Sequence, residues 1–305
     1  MADREAMQLA LGDVAARQLA NATKTIPQMS TISPRWLTRL LPWVGVEAGI
    51  YCVNQVKDAS RVLVACSLRA ERDLPQTFVD YVEPAREYML SAVTTIVDVH
   101  TRVSDLYSVP HDQIGEQLRL AIETIKEKQE SELINNQEYG LLAHAAPSMR
   151  IRTRTGLPTP DDLDELIALV LKEPAFFLAH PKAIAAFGCE CTRRGVPPAT
   201  VSLLGSQFLT WRGIPIFPSN KLTVEKNASS ILLLRVGEEK QGVVGLYQPG
   251  LKHEHGMGLS VRFMGVNRKA IASYLVSLYC SLAVLADDAL GVLEGVEIGK
   301  YHEYK

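Results

Sequence analysis

Prolines at positions 27, 34 and 42 interrupt the stretch from Thr23 to Pro42 and forbid one long helix there, since each ring removes a backbone donor and crowds the preceding turn. The stretch is nevertheless studded with Ile26, Met29, Ile32, Trp36, Leu37, Leu40 and Leu41, with Trp43 just beyond. A solvated tail lacks such groups. The segment therefore reads as an extended arm that must lay its apolar side chains on a surface. That surface is either the chain's own body or a neighbouring subunit, and Ile32, Trp36, Leu37 and Trp43 are the candidate contacts. Ahead of the arm, Asp3 to Ala22 is rich in Ala and Leu with charges spaced through it, a helical pattern.

The body behind the arm can be large. Of 305 residues, 47% are hydrophobic and 22% charged, enough for a sizeable core in one large domain or two small ones. A formal net charge of −2 offers no basic footprint for a phosphate backbone, so nucleic acid is not an expected partner. A membrane is not expected either. The most apolar run, Ile271 to Ala286, falls short of the ~18 residues a span requires and carries Ser273, Ser277 and Ser281. The opening Met-Ala-Asp-Arg-Glu is too polar for a secretory signal. Cys52, Cys66, Cys189, Cys191 and Cys280 form no disulfide framework and suit a reducing cytoplasm, the expected location.

Ile50–Val53 and Arg61–Val64 are β-branched runs flanking the polar Lys57-Asp58-Ala59-Ser60, the pattern of a hairpin. The spacing of Ile114, Leu118, Ala121, Ile122 and Ile125 predicts a helix over Asp112 to Asn135, capped by Asp112. Its far half, Lys126 to Glu132, is charged almost all round, which fits a solvated face or a subunit contact. After the breaker Gly156-Leu157-Pro158-Thr159-Pro160 a helix starts with Asp161, Asp162, Asp164 and Glu165, suited to its positive end. Ala175–Ala179 reads as a buried strand and Pro181–Arg193 as a helix closed by Gly195-Val196-Pro197-Pro198. Ile214–Phe217, Ser230–Val236, Val243–Tyr247 and Leu259–Met264 read as short strands. Ala272 to Leu285 fits both the helical and the strand period. The class is α+β, without the regular alternation of a doubly wound sheet.

No motif supplies chemistry. The chain has no Gly-rich dinucleotide loop, no phosphate-cradling loop, no zinc-protease pair and no nucleophile elbow. His253 and His255 would share one side of a strand and form the best metal candidate, yet they sit between glycine-rich turns and read as an exposed loop. Cys189 and Cys191 lack the spacing or further ligands of a metal or redox pair. His180 reads as a hydrogen-bonded structural imidazole, and Ser206 and Asp98 join no triad. Arg150, Arg152 and Arg154 alternate and would present a salt-bridging stripe rather than a phosphate site. The chain reads as a non-enzyme without a catalytic residue, metal or cofactor. The competing reading is a metal- or thiol-dependent enzyme using His253 and His255 or Cys189 and Cys191.

Five segments, in order, carry a resemblance. They are Trp43-Val44-Gly45-Val46-Glu47-Ala48-Gly49-Ile50-Tyr51-Cys52-Val53-Asn54, Phe177-Leu178-Ala179-His180-Pro181-Lys182-Ala183, Cys191-Thr192-Arg193-Arg194-Gly195-Val196-Pro197-Pro198, Phe208-Leu209-Thr210-Trp211-Arg212-Gly213-Ile214-Pro215 and Gly299-Lys300-Tyr301-His302-Glu303-Tyr304. Together they resemble signatures of the second encapsulin family, bacterial nanocompartment shells with the tailed-phage major-capsid fold (Hong Kong 97 type). The resemblance implies a homo-oligomeric shell, sixty copies in the smallest icosahedron. It implies an N-terminal arm (1–48), an extended hairpin region (49–86), a peripheral domain (87–158 and 258–305) with Asp112 to Asn135 as its spine helix, and an axial domain (159–257). It makes Ala272 to Leu285 a strand. By order along the chain, Arg193, Arg194, Gly195, Val196, Pro197, Pro198, Ala199 and Thr200 are the candidate five-fold pore loop. Only roughly twenty residues separate Cys66 from Tyr88, so the cyclic-nucleotide-binding insertion of some members is absent. That places the chain in the branch resembling shells with a cysteine desulfurase cargo, whose pyridoxal phosphate would belong to the cargo.

Overall fold

A computed structural model describes residues 32–56, 63–64, 76–100 and 113–300. The helical pattern of Asp3 to Ala22, the arm residues Ile26 and Met29, and Tyr301 to Tyr304 lie outside the described residues. In chain order the elements begin with α1 (Trp36–Leu40), β1 (Trp43–Gly45), β2 (Ile50–Val53), β3 (Arg86–Met89), β4 (Ser91–His100), α2 (Gln113–Asn135), α3 (Leu141–His144) and β5 (Arg150–Arg152). They continue with α4 (Pro160–Leu169), β6 (Phe176–Ala179), α5 (Pro181–Arg193), β7 (Ala199–Leu203), β8 (Ser206–Trp211), β9 (Ile214–Pro218) and β10 (Ala228–Leu234). The last are β11 (Val243–Tyr247), β12 (Glu254–Gly256), β13 (Leu259–Val266), β14 (Ile271–Val284) and β15 (Leu290–Glu297).

One sheet is built around β14, with β11 and then β1 paired to it, β13 and then β12, and also β4. Leu278 pairs with both Leu259 of β13 and Val93 of β4, so those strands occupy opposite edges of β14. This resolves the double periodicity of 272–285 in favour of strand, because both edges of its backbone are claimed by neighbours. The helix α2 covers one face, setting Leu118, Ile122 and Ile125 on Val93, Val97, Val276 and Leu278.

The other sheet runs β5-β15-β10-β6-β9-β8-β7. Every residue of its central β6 is buried, since α4 and α5 cover one face and the arm segment, with its surroundings, covers the other. The α4 start is a capping box: the Thr159 hydroxyl accepts from Asp162 N–H at 3.2 Å, and the Asp162 carboxylate accepts from Thr159 N–H at 3.0 Å. The two sheets do not follow the domain boundaries implied above. Val243–Tyr247, assigned to the axial segment, pairs with β14, whereas Leu290–Glu297, assigned to the peripheral one, pairs with β10. The chain thus crosses between sheets at the β10–β11 and β14–β15 connections.

The arm also departs from expectation. Between Pro34 and Pro42 it forms the short helix α1 rather than an extended path. Trp36 and Leu37 are 5% and 0% exposed in the chain's own core. The Trp36 ring lies 5.1 Å from Phe208 and 5.6 Å from Phe217. Both residues are therefore withdrawn as contacts to a neighbour, leaving Ile32 and Trp43 as half-buried candidates. Polar groups reinforce the docking: the Ser33 hydroxyl donates to Glu127 at 2.7 Å, and Trp43 Nε1–H donates to the Thr38 carbonyl at 2.9 Å. Trp43 in turn occupies the space over Gly245, where a Cβ would stand 2.7 Å from the indole.

Candidate assembly surfaces

The hairpin region is a ribbon of β2 and β3, in register from Ile50 opposite Met89 to Val53 opposite Arg86. Pairing continues to the bridge of Val56 with Tyr81. The expected partner of Ile50–Val53 was Arg61–Val64, and this is corrected. Arg61 and Val62 lie outside the described residues, and Leu63 and Val64 are exposed and outside any strand. Local β-branching marked one leg, but the true return leg lies some twenty residues further on, where no pattern announced it.

Alternation divides the ribbon into two faces. Tyr51, Val53 and Tyr88 pack on Val46, Val244, Leu246 and Ala283. Ile50, Cys52, Glu87 and Met89 point away and are exposed. At the root Tyr51 Oη–H donates to Glu238 at 2.6 Å, and Tyr88 Oη–H donates to the Val284 carbonyl at 2.5 Å. Burial and the Glu238 carboxylate push the Tyr51 hydroxyl up to about 12. Both Arg86 amino groups donate to Asp287 Oδ1 at 3.0 Å. Beyond Val56 the character changes: Phe78 is 90% exposed, and Val79, Tyr81 and Val82 are also exposed. Exposed large apolar side chains grouped in this way mark an interaction site.

The charged half of α2 is solvated only in part, with Lys128 exposed. Glu127, Gln129 and Glu130 are buried against the arm and the 219–221 turn. Lys221 pairs with Glu127 at 2.7 Å, and Arg35 with Glu123 at 2.6 Å. The arm's polar atoms satisfy a spine that would otherwise be unpaired.

At the candidate pore loop, α5 ends in a Schellman motif. Val196 N–H donates to the Cys191 carbonyl at 2.9 Å and Gly195 N–H to the Thr192 carbonyl at 3.1 Å, with Gly195 at φ 72°. Gly195, Val196, Pro197 and Pro198 form the irregular link. Arg193 still belongs to the helix, and Ala199 and Thr200 already belong to β7, which shortens the expected loop. Both arginines are committed to Glu190, Arg193 and Arg194 each at 2.8 Å. Burial opposes the charge on Glu190, but the two guanidinium groups outweigh it and hold the carboxyl below its ordinary range.

The chemical candidates do not converge. His253 and His255 are exposed around β12, and among the described residues no cluster of three or more His, Cys, Asp or Glu could hold a metal. Two positions along a helix point Cys189 outward and Cys191 inward. Burial raises the Cys191 thiol to about 11, the reverse of nucleophile activation. His180 caps α5, its Nδ1 accepting from Lys182 N–H at 3.1 Å. Ser206 and Asp98 lie in different sheets. Arg150 pairs with Glu294 at 2.7 Å and Arg154 with Asp162 at 3.2 Å, so that stripe is spent largely within the chain. Among the described residues no helix is long and apolar enough to cross a membrane.

Two sheets, a spine helix packed on one of them and a two-stranded ribbon match a capsid-type architecture. The chain superposes on one from Microbacterium phage Oxtober96 with a TM-score of 0.62 at 14% identity, over 96% of this chain and 97% of that one, a likeness of fold alone. Within that class, residues 51–300 match the family model of the Type 2A encapsulin shell protein SrpI-like family. The chain is 72% identical over 300 residues to the Type 2A encapsulin shell protein SrpI of Synechococcus elongatus, covering 98% of each. It superposes on the holo-SrpI encapsulin complex from that organism with a TM-score of 0.84 and 68% identity, over 97% of this chain and 100% of that one. The chain belongs to the Type 2A encapsulin shell proteins. It is a structural shell protein and not an enzyme.

Proposed function

We propose that sixty copies of this chain close into an icosahedral shell in the bacterial cytoplasm, enclosing a cysteine desulfurase supplied with solutes through pores. The observation that carries the closed assembly is the ribbon beyond Val56, whose Phe78, Val79, Tyr81 and Val82 its own chain leaves uncovered. Contacts that repeat from one copy to the next and return on themselves give a closed particle. The pore reading now rests on Gly195 to Pro198, with Arg193 and Arg194 held back by Glu190. The cargo reading rests on the resemblance to the branch without a nucleotide-binding insertion, and the pyridoxal phosphate belongs to that cargo.

Size-exclusion chromatography of the protein from its native cell, followed by mass spectrometry, tests both parts. The expected result is a megadalton particle carrying a pyridoxal phosphate enzyme in addition to this chain. A small oligomer would overturn the shell, and an empty particle or one with a different enzyme would overturn the cargo assignment.

A further inference from the structure

We infer that the turn joining the two sheets, Ala286 to Ala289, sets the angle at which the ribbon leaves the body, so that Tyr51, Arg86, Glu238 and Asp287 are positioning residues for the size of the closed particle. The inference rests on the shell reading and deepens it. A two-stranded ribbon does not fix its own direction, because alone it is marginal and twists freely. Here side chains of both legs are held to the body. On the β2 side Tyr51 donates to Glu238 in the β10–β11 connection at 2.6 Å, and Gln55 Nε2–H donates to the Leu285 carbonyl at 3.4 Å. On the β3 side Arg86 holds Asp287 through both amino groups at 3.0 Å, and Tyr88 holds the Val284 carbonyl at 2.5 Å.

The anchor points are themselves immobilised. Beside Asp287, Asp288 meets the fully buried Arg235 at 2.5 Å and Lys172 at 3.3 Å. Arg235 also donates to the Leu171 carbonyl at 2.6 Å, and its backbone N–H donates to the Ala289 carbonyl at 2.9 Å. The crossover turn is thus pinned to the end of β10 and to the connection after α4. Among the described residues, Val56 and, on the return leg, Phe78, Val79, Tyr81 and Val82 lie further along the ribbon than Tyr51 and Arg86 and are exposed. A ribbon clamped at its root is a lever, and a small rotation at the clamp is magnified at its outer apolar residues. Closure of a shell requires one repeating angle between copies. Loosening the clamp should therefore change which particles close, without removing the surface that joins them.

The test compares the full-length parent with Tyr51→Phe, Asp287→Ala and the double variant by cryo-electron microscopy of the purified particles. Tyr51→Phe deletes one hydrogen bond and keeps the packing, and the Asp287 side chain is 59% exposed, so its loss spares the core. Val292→Ala, buried in the second sheet away from the clamp, is the control for lost stability. The parent is expected to give one diameter class, the clamp variants several classes or open shells, and the control one class with a lower melting temperature. A single parental diameter in both single variants would overturn the inference, whether or not the double variant is soluble. A parent that forms no particles would instead sink the shell reading.

Discussion

Glu130 stands in the charged half of α2 with 1% of its surface exposed. Thr38 N–H approaches its carboxylate at 3.5 Å and the Ser219 hydroxyl at 3.3 Å, and among the described residues no cation pairs with it directly. Burial pushes this carboxyl from its ordinary 4.5 up to about 6; the Thr38 and Ser219 hydrogen bonds oppose the rise, Glu127 adds to it, and Lys221 opposes it. The folded state therefore holds the proton more tightly than the unfolded state does. Stability rises as pH falls from about 6 to 4.5 and is lost as pH climbs back through 6. At neutral pH the ionised group costs about 2 kcal/mol by the usual conversion of a pKa shift. Glu130→Gln keeps the shape and removes the charge. It should melt above the parent near neutral pH, with the advantage disappearing below the ordinary carboxylate range. An advantage of the same size at both pH values would show that ionisation of Glu130 is not what the substitution relieves. Nothing in the run Lys126 to Glu132 betrayed this burial, because the groups that satisfy it come from Ser33, Thr38, Ser219 and Lys221, far away in sequence.

Element by element, what was legible depended on whether the signal was local. The buried strand β6, the helix α5 and the capped start of α4 follow from continuous apolar runs, a proline at the first helical position and acidic residues beside Thr159. The ribbon's return leg and the fate of the arm did not follow, because both are decided by long-range pairing. Prolines correctly excluded a long helix over the arm, yet they leave room for the short helix Trp36–Leu40, whose spacing brings Trp36 and Leu37 onto the chain's own core. Trp36→Ala should therefore destabilise the subunit itself by about 3–5 kcal/mol, the usual cost of emptying an aromatic site in a core. Denaturant titration of dissociated subunits measures this. Unchanged subunit stability combined with poor assembly would return Trp36 to the surface of a neighbour.

For the whole molecule, the capsid-type fold was legible through spaced motifs, while the partition into two sheets was not. Val243–Tyr247 and Leu290–Glu297 exchange sheets because strand order in space departs from order in the chain, so a division by position along the chain does not coincide with the two sheets. The surface proposed to join copies was likewise visible only in the structure. Phe78, Val79, Tyr81 and Val82 are ordinary strand-forming residues until the fold leaves them exposed on the outer part of the ribbon. Burying such side chains against another copy contributes roughly 1.5–3 kcal/mol each, and a shell repeats that gain at every contact. Phe78→Asp combined with Tyr81→Asp replaces the gain with the cost of desolvating two carboxylates. Because Phe78 is 90% and Tyr81 58% exposed in the single chain, the subunit's own fold should be untouched. The double variant is expected to show the parental circular dichroism and thermal melt of dissociated subunits, yet to elute as a small species instead of a particle. Full-size particles with the parent's resistance to dissociation would show that the outer apolar residues of the ribbon contribute little to closure, and that another surface joins the copies.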